Sequence, residues 1–189
     1  AYDVGPASYD SVSFSVAGQT TFPGGIDFNA DASKMYIFNY YNGIMLQYSL
    51  PSAYDIANAT YDSVSFSVSS EGTPLGIFFK PDGTKIYIVG ITNDSVYQYS
   101  LSTAWDISTA SYDSISFSFA SQDTNPRGTY FKPDGTEMYM VGTVSDSVHL
   151  YNLSTAWDIS TASYSNVSFS VASQDAAPVT VFFGDSGTK

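Results

Sequence analysis

The side chains that could carry chemistry in this 189-residue sequence are one histidine, eighteen carboxylates, six cations and sixteen tyrosines. His149 is the only histidine and there is no cysteine, so a zinc site of the usual imidazole or thiolate kind lacks its second ligand. A Ser–His–Asp assembly could draw on many serines and aspartates, but no stretch has the form of a nucleophile elbow. In a repeat that runs through the chain, His149 replaces Tyr97 and Met45, which reads as a tolerated strand substitution. Arg127 stands where the other copies carry Gly24, Leu75 and Val179, near the start of a predicted inner strand. A guanidinium at that entrance is the best single candidate for binding an anion or carboxylate. The stretch Asn39-Tyr40-Tyr41-Asn42 differs from its counterpart Gly90-Ile91-Thr92-Asn93 and offers a polar-aromatic contact patch. The ligand-binding candidates are thus Arg127, Tyr40, Tyr41 and His149. No catalytic residue and no metal ligand is assigned, and no cofactor is expected.

Residues that recur in every copy read as structural. Asp82 and Asp134 sit in matching turns, where an aspartate bonds nearby backbone N–H groups. Asp10, Asp62 and Asp113 each follow a tyrosine ahead of a predicted outer strand and also read as turn residues. A calcium ion held by such loops is the alternative, although no EF-hand or nonapeptide spacing is present. Trp105 and Trp157 occupy the place of Tyr2 and Tyr54; packing between repeats is the expected role, with sugar stacking as the other. Four of the eight asparagines, Asn58, Asn93, Asn152 and Asn166, lie in Asn-x-Ser/Thr sequons and would carry glycans on a secreted protein from a source that glycosylates them.

The elements that must position these residues follow from the repeat. Ala1-Tyr2-Asp3 returns at Ala53-Tyr54-Asp55, Ala104-Trp105-Asp106 and Ala156-Trp157-Asp158, at offsets of 52, 51 and 52 residues. Pro23, Pro74, Pro126 and Pro178 keep the same period. The second copy reads as four strands. Leu75–Phe79 turns at Lys80-Pro81-Asp82-Gly83-Thr84 into Lys85–Val89, which is apolar on both faces. Val96–Leu101 follows, and Tyr112–Phe119 ends the unit with period-two alternation. Central strands apolar throughout and an outer strand that alternates are what a propeller blade requires, because neighbouring blades cover both faces of its centre. The predicted fold is therefore all-β, a single propeller-type array over 1–189 with four antiparallel strands per blade. Its units are an outer strand over 1–19, blades over 20–70, 71–122 and 123–174, and an inner strand over 175–189. Fourteen strands are expected, with Ser11–Val16 and Val179–Phe183 as the two lone ones. Such a chain is expected to be a window on a longer array or to complete its blades with another copy.

Phe79-Lys80-Pro81-Asp82-Gly83-Thr84-Lys85-Ile86-Tyr87-Ile88-Val89 and Phe131-Lys132-Pro133-Asp134-Gly135-Thr136-Glu137-Met138-Tyr139-Met140-Val141 resemble the strand–turn–strand core of YVTN-type propeller repeats. That group includes surface-layer-like proteins and lactonase-like seven-bladed propellers. The repeat style also resembles uncharacterised repeat proteins of marine bacteria and their phages. Asn29-Ala30-Asp31-Ala32-Ser33 departs from the turn pattern, and the catalytic residues of the lactonases match no position here. What the resemblance implies is repeat type far more than activity.

Composition narrows the function classes. A net charge of −12 repels phosphate backbones and anionic lipid, which argues against nucleic-acid and membrane-surface roles. No apolar run approaches the ~20 residues that span a bilayer, and no charged n-region precedes an apolar stretch at the N-terminus, so a signal peptide is expected to be absent or already removed. Few basic residues among abundant Ser, Thr, Asp and Tyr suit an extracellular, cell-surface or virion-surface setting. The leading expectation is a non-catalytic adhesion or structural module that binds a protein or glycan. The alternatives are a structural protein that completes its blades between copies of itself and a lactonase-like hydrolase acting on a propeller face.

Overall fold

A computed structural model describes residues 8–68 and 73–184. The Ala1-Tyr2-Asp3 copy of the repeat marker and the turn residues Asp185 to Lys189 lie outside that range. Three four-stranded antiparallel sheets follow one another along the chain. The first contains β1 (Pro23–Phe28), β2 (Lys34–Asn39), β3 (Ile44–Ser49) and β4 (Thr60–Ser67). The second contains β5 (Pro74–Phe79), β6 (Lys85–Gly90), β7 (Ser95–Leu101) and β8 (Ala110–Ser118). The third contains β9 (Pro126–Phe131), β10 (Glu137–Gly142), β11 (Ser147–Leu153) and β12 (Ala162–Ser170). In every sheet the strands pair in chain order, the meander of a propeller blade. The three blades are not closed into a ring.

Local chemistry explains each hairpin. In the β5–β6 turn the Gly83 N–H donates to the Lys80 carbonyl (2.8 Å), and Asp82 accepts from the Thr84 N–H (2.9 Å) and hydroxyl (2.6 Å). Gly83 takes φ +73°, the left-handed conformation that closes the turn. Asn29 to Ser33 makes the same turn with different residues: Asp31 accepts from the Ser33 N–H (3.0 Å) and hydroxyl (2.6 Å), and Ala32 takes φ +53°. The departure in sequence is not a departure in shape. After the third strand, a one-turn 3-10 helix brings Trp105 or Trp157 back over Gly83 or Gly135, where a Cβ would collide with the indole. Gly at these turns therefore serves φ and tryptophan packing together.

The core lies between blades. β2 and β6 are buried along nearly their whole length. Tyr36, Phe38 and Met45 of blade 1 pack against Phe79, Ile86 and Ile88 of blade 2. Tyr87, Val89 and Val96 of blade 2 pack in the same way against Phe131, Met138 and Met140 of blade 3. Two polar links repeat across these interfaces. The Tyr36 and Tyr87 hydroxyls donate to the carbonyls of Trp105 and Trp157, each at 2.6 Å. Gln47 donates to Asp62 (2.9 Å) while accepting from the Ile107 N–H of the next blade (3.1 Å), and Gln98 does the same between Asp113 (2.8 Å) and Ile159 (3.2 Å). Trp105 stacks on Tyr36 of blade 1 and Trp157 on Tyr87 of blade 2, each with ring centroids 6.4 Å apart, so both indoles pack at blade interfaces.

The structure corrects three expectations. There are twelve strands among the described residues, not fourteen. Ser11–Val16 does occupy an outer-strand position: Phe14 meets Tyr48 edge-on at 5.7 Å, as Phe66 meets Tyr99 at 5.4 Å. Val179–Phe183 extends the inner-strand row, with the Val179 carbonyl facing Gly128 as that of Arg127 faces Gly76. Among the described residues neither pairs with a neighbouring strand, so neither forms a ladder. Tyr112–Phe119 alternates in burial as expected, but each outer strand carries an unforeseen bulge that puts Ser63, Ser114 and Asn166 at φ near +60°. Asp62 and Asp113 lie inside β4 and β8 beside that bulge, not in turns. Finally, the register pairs His149 with Met140 and Leu46 with Ile37, so the counterpart of His149 in blade 1 is Leu46, not Met45.

Candidate functional site

β1, β5 and β9 run side by side, and glycine sets their spacing: a Cβ on Gly76 would lie 2.6 Å from the Arg127 carbonyl oxygen. The beginnings of these strands open onto a cleft of about 610 Å³, within the ~300–1,000 Å³ range of small-molecule sites. The three blades line it differently at one equivalent position, with Gly24, Leu75 and Arg127. In blade 1 the space left by Gly24 is filled from the next hairpin by Tyr40, whose Cδ1 would lie 2.9 Å from a Cβ at residue 24. The wall therefore runs from an aromatic through an aliphatic to a cation.

Arg127 is half-buried, and its Nε–H donates to the Thr143 hydroxyl at 3.4 Å. Lys34, Lys80, Lys85 and Lys132 all pair with carboxylates at 2.7–3.5 Å, whereas Arg127 has no carboxylate partner among the described residues. Thr129 lines the cleft beside it, and its hydroxyl oxygen is buried with no hydrogen-bond partner among the described residues. A buried hydroxyl left in this state forfeits its hydration, so it favours an incoming polar group. Tyr40 lines the cleft and meets Phe22 edge-on, and Phe22 in turn stacks on Tyr41 at a centroid distance of 4.9 Å. Three of the four ligand candidates, Arg127, Tyr40 and Tyr41, thus gather at one end of the blades.

His149 does not join them. It lies on the face of blade 3 that carries Met140, with Nε2 3.0 Å from the Ser145 hydroxyl oxygen. That hydroxyl donates to Asp123 at 2.7 Å, and Asp123 also accepts from the Ser145 and Asn125 N–H groups at 2.8 and 2.7 Å. The order is Asp–Ser–His, with the serine O–H directed at the carboxylate and no bond from Asp123 to the imidazole, so this is not a hydrolase triad. Burial pushes the His149 pKa down against the opposing charge of Asp123. In blade 2 the same two positions hold the Asn93–Tyr97 hydrogen bond (2.9 Å), so His149 and Ser145 substitute one packed pair for another.

The remaining expectations fall as follows. Asn58, Asn93, Asn152 and Asn166 are all exposed and lie on different elements. Among the described residues no group of three His, Cys, Asp or Glu side chains converges as metal ligands. Sequence reasoning missed the Gln47 and Gln98 bridges, although a glutamine recurring inside an otherwise apolar strand was a readable signal. It also missed Thr129 and the exchange of Gly24 for Tyr40, which needs the hairpin geometry.

These features define consecutive blades of a β-propeller with a ligand-sized cleft at the inner-strand ends. No family model matches the chain, and no curated protein matches it in sequence. Solved structures do. A candidate 6-phosphogluconolactonase from Bacteroides fragilis aligns at TM-score 0.59 and 15% identity over 84% of this chain and 40% of its own. The periplasmic gluconolactonase of Pseudomonas aeruginosa aligns at 0.54 and 14% over 75% and 37%. Kuenenia stuttgartiensis hydrazine synthase aligns at 0.56 and 15% over 96% and 44%. The chain spans less than half the length of each. At these identities the likeness establishes the propeller fold and nothing finer.

Proposed function

We propose that the inner-strand cleft binds a small organic anion and that the chain forms part of a lactonase-like propeller. The observation that carries this is Arg127, the one cation among the described residues without a carboxylate partner, facing the cleft of a protein with net charge −12. A guanidinium suits both stages of lactone opening. Water attack places negative charge on the carbonyl oxygen, and ring opening leaves a carboxylate; either oxyanion accepts two N–H donors from Arg127. No carboxylate or imidazole lines the cleft among the described residues, so these residues supply binding and charge stabilisation but no general base.

The lactonase-like reading has more support than the non-catalytic surface module, because two of the fold relatives carry gluconolactonase names. Adhesion, glycan attachment and kinship with marine or phage surface proteins rest on composition and repeat style alone. An extracellular setting is compatible with the periplasmic relative, and no helix among the described residues is long and apolar enough to cross a membrane. Blade completion by a second copy has one observation behind it: Val167, Phe169 and Phe182 are 54, 70 and 76% exposed on the face where a further blade would pack.

The test is calorimetric titration of the chain with gluconate and phosphate, alongside turnover of an aldonolactone panel. Arg127→Gln is expected to weaken anion binding about ten- to hundred-fold, the value of a charge-assisted hydrogen bond. Unchanged affinity and turnover in that variant would overturn the reading.

A further inference from the structure

The cleft has a second feature that the repeat does not share. Phe22, Tyr40 and Tyr41 correspond to Thr73, Ile91 and Thr92 in blade 2 and to Asn125, Thr143 and Val144 in blade 3. Phe22 stacks on Tyr41 and meets Tyr40 edge-on at 6.0 Å. All three nevertheless stay open to water: Phe22 is 42% exposed, Tyr40 38% and Tyr41 76%. Tyr40 has a packing role over Gly24, but Tyr41 belongs to none of the buried clusters between blades. An open aromatic group beside a ligand-sized cleft is a surface that a partner would cover.

The rest of the wall says what that partner carries. Arg127 stands at the other end, Leu75 between, and the unpartnered Thr129 hydroxyl within. Inorganic phosphate would satisfy Arg127 and leave the aromatic group bare. A fatty acid would cover the aromatic group but leave the Thr129 hydroxyl unpaired in an apolar contact. A pyranose ring has an apolar C–H face for an aromatic platform and hydroxyls for a buried polar atom. Resting on the anion-binding reading above, we infer that the cleft takes an acidic oligosaccharide, with one ring on the Tyr40–Tyr41 platform, a carboxylate on Arg127 and a ring hydroxyl bonded to Thr129. Its volume of about 610 Å³ has room for more than one sugar ring.

The test uses the whole chain and four probes: trigalacturonic acid, maltotriose, benzoate and inorganic phosphate, each titrated calorimetrically. Trigalacturonate is expected to bind more tightly than the other three. Tyr41→Ala, at an exposed site where the fold has little at stake, is expected to weaken trigalacturonate about three- to ten-fold and leave phosphate unchanged, while Arg127→Gln weakens both. Circular dichroism confirms that each variant is folded. If Tyr41→Ala leaves trigalacturonate unchanged, or maltotriose or benzoate binds as tightly, the saccharide inference fails while the anion cleft stands. If no anion binds, or Arg127→Gln changes nothing, both fail.

Discussion

Asp27 departs most in chemistry from its counterparts, which are Phe78, Tyr130 and Phe182. Burial pushes its carboxyl pKa up, against hydrogen bonds from the Phe28 and Phe79 N–H groups. The folded pKa therefore lies above the unfolded one, and the ionised form is the one the fold disfavours. The contribution of Asp27 to stability is full below the ordinary carboxylate value and is lost as pH rises through the folded value. Asp27→Asn keeps an oxygen for the Phe28 N–H, now 2.8 Å away, and removes the charge. It is expected to raise the thermal midpoint at pH 7 by about 2–4 °C, with a smaller gain at pH 4. Thermal melts at the two pH values check this, and an equal effect at both would refute the burial account. The sequence reading passed over Asp27, and one of its partners is the Phe79 N–H of the next blade, which no local pattern reveals. Arg127 was legible because repeat offsets alone place it on an inner strand. His149 was singled out for its rarity, and rarity carries no information about neighbours.

At the scale of the strand and hairpin, the turns were readable because their chemistry is local: Asp82 bonds Thr84 two residues away, and Gly83 needs only its own φ. The bulge in each outer strand was not readable, since Ser63 and Ser114 adopt φ near +60° only in response to pairing with a distant strand. The glutamine bridges are likewise long-range. Gln98 holds Asp113 with one end and the Ile159 N–H with the other, across an interface where Ile159 is fully buried. Blade 3 carries Leu150 at the same position. Gln98→Leu, although it copies a residue the chain itself uses, leaves the Ile159 N–H without an acceptor. A loss of about 1–3 kcal/mol is expected, read as a lower urea midpoint with unchanged slope. Leu150→Gln, facing no such N–H among the described residues, is the control and should shift the midpoint little. Equal shifts in the two variants would mean that packing volume, not the bridge, is what the site requires.

The molecule as a whole was the most legible level, because a period kept over the chain demands one unit repeated, and the apolar centre of that unit demands a neighbour on each side. What the period could not show is how charge is arranged across the blades, and this sets the response to acid. Hydrogen bonds and ion pairs hold several carboxylates below their ordinary range. At Asp62 and Asp113 burial works against ionisation but is outweighed by Gln47, Ser49 and Lys34, and by Gln98, Ser100 and Lys85. At Asp82 burial is outweighed by Lys80 and Thr84, giving about 2, and at Asp134 the Thr136 hydrogen bonds give about 2. For each of these the folded pKa lies below the unfolded one, so as pH drops the unfolded chain takes up protons first. The stability they contribute is present above about pH 4 and is lost as pH falls through the depressed values. Asp27 and the mutual repulsion of a −12 surface act in the opposite sense, since protonation of carboxylates relieves both. Stability is therefore expected to vary little between pH 8 and about pH 5, where His149, its pKa pushed down by burial, works against the gain from Asp27, and then to fall steeply between about pH 4 and 2. Urea midpoints across this range test the shape of the curve. Asp62→Asn combined with Asp113→Asn should flatten the acid limb while leaving the neutral limb sensitive to salt, because the two limbs have different causes. An acid limb of wild-type steepness in that double variant would assign acid unfolding to charge accumulated on the lysines and Arg127 and not to the paired carboxylates.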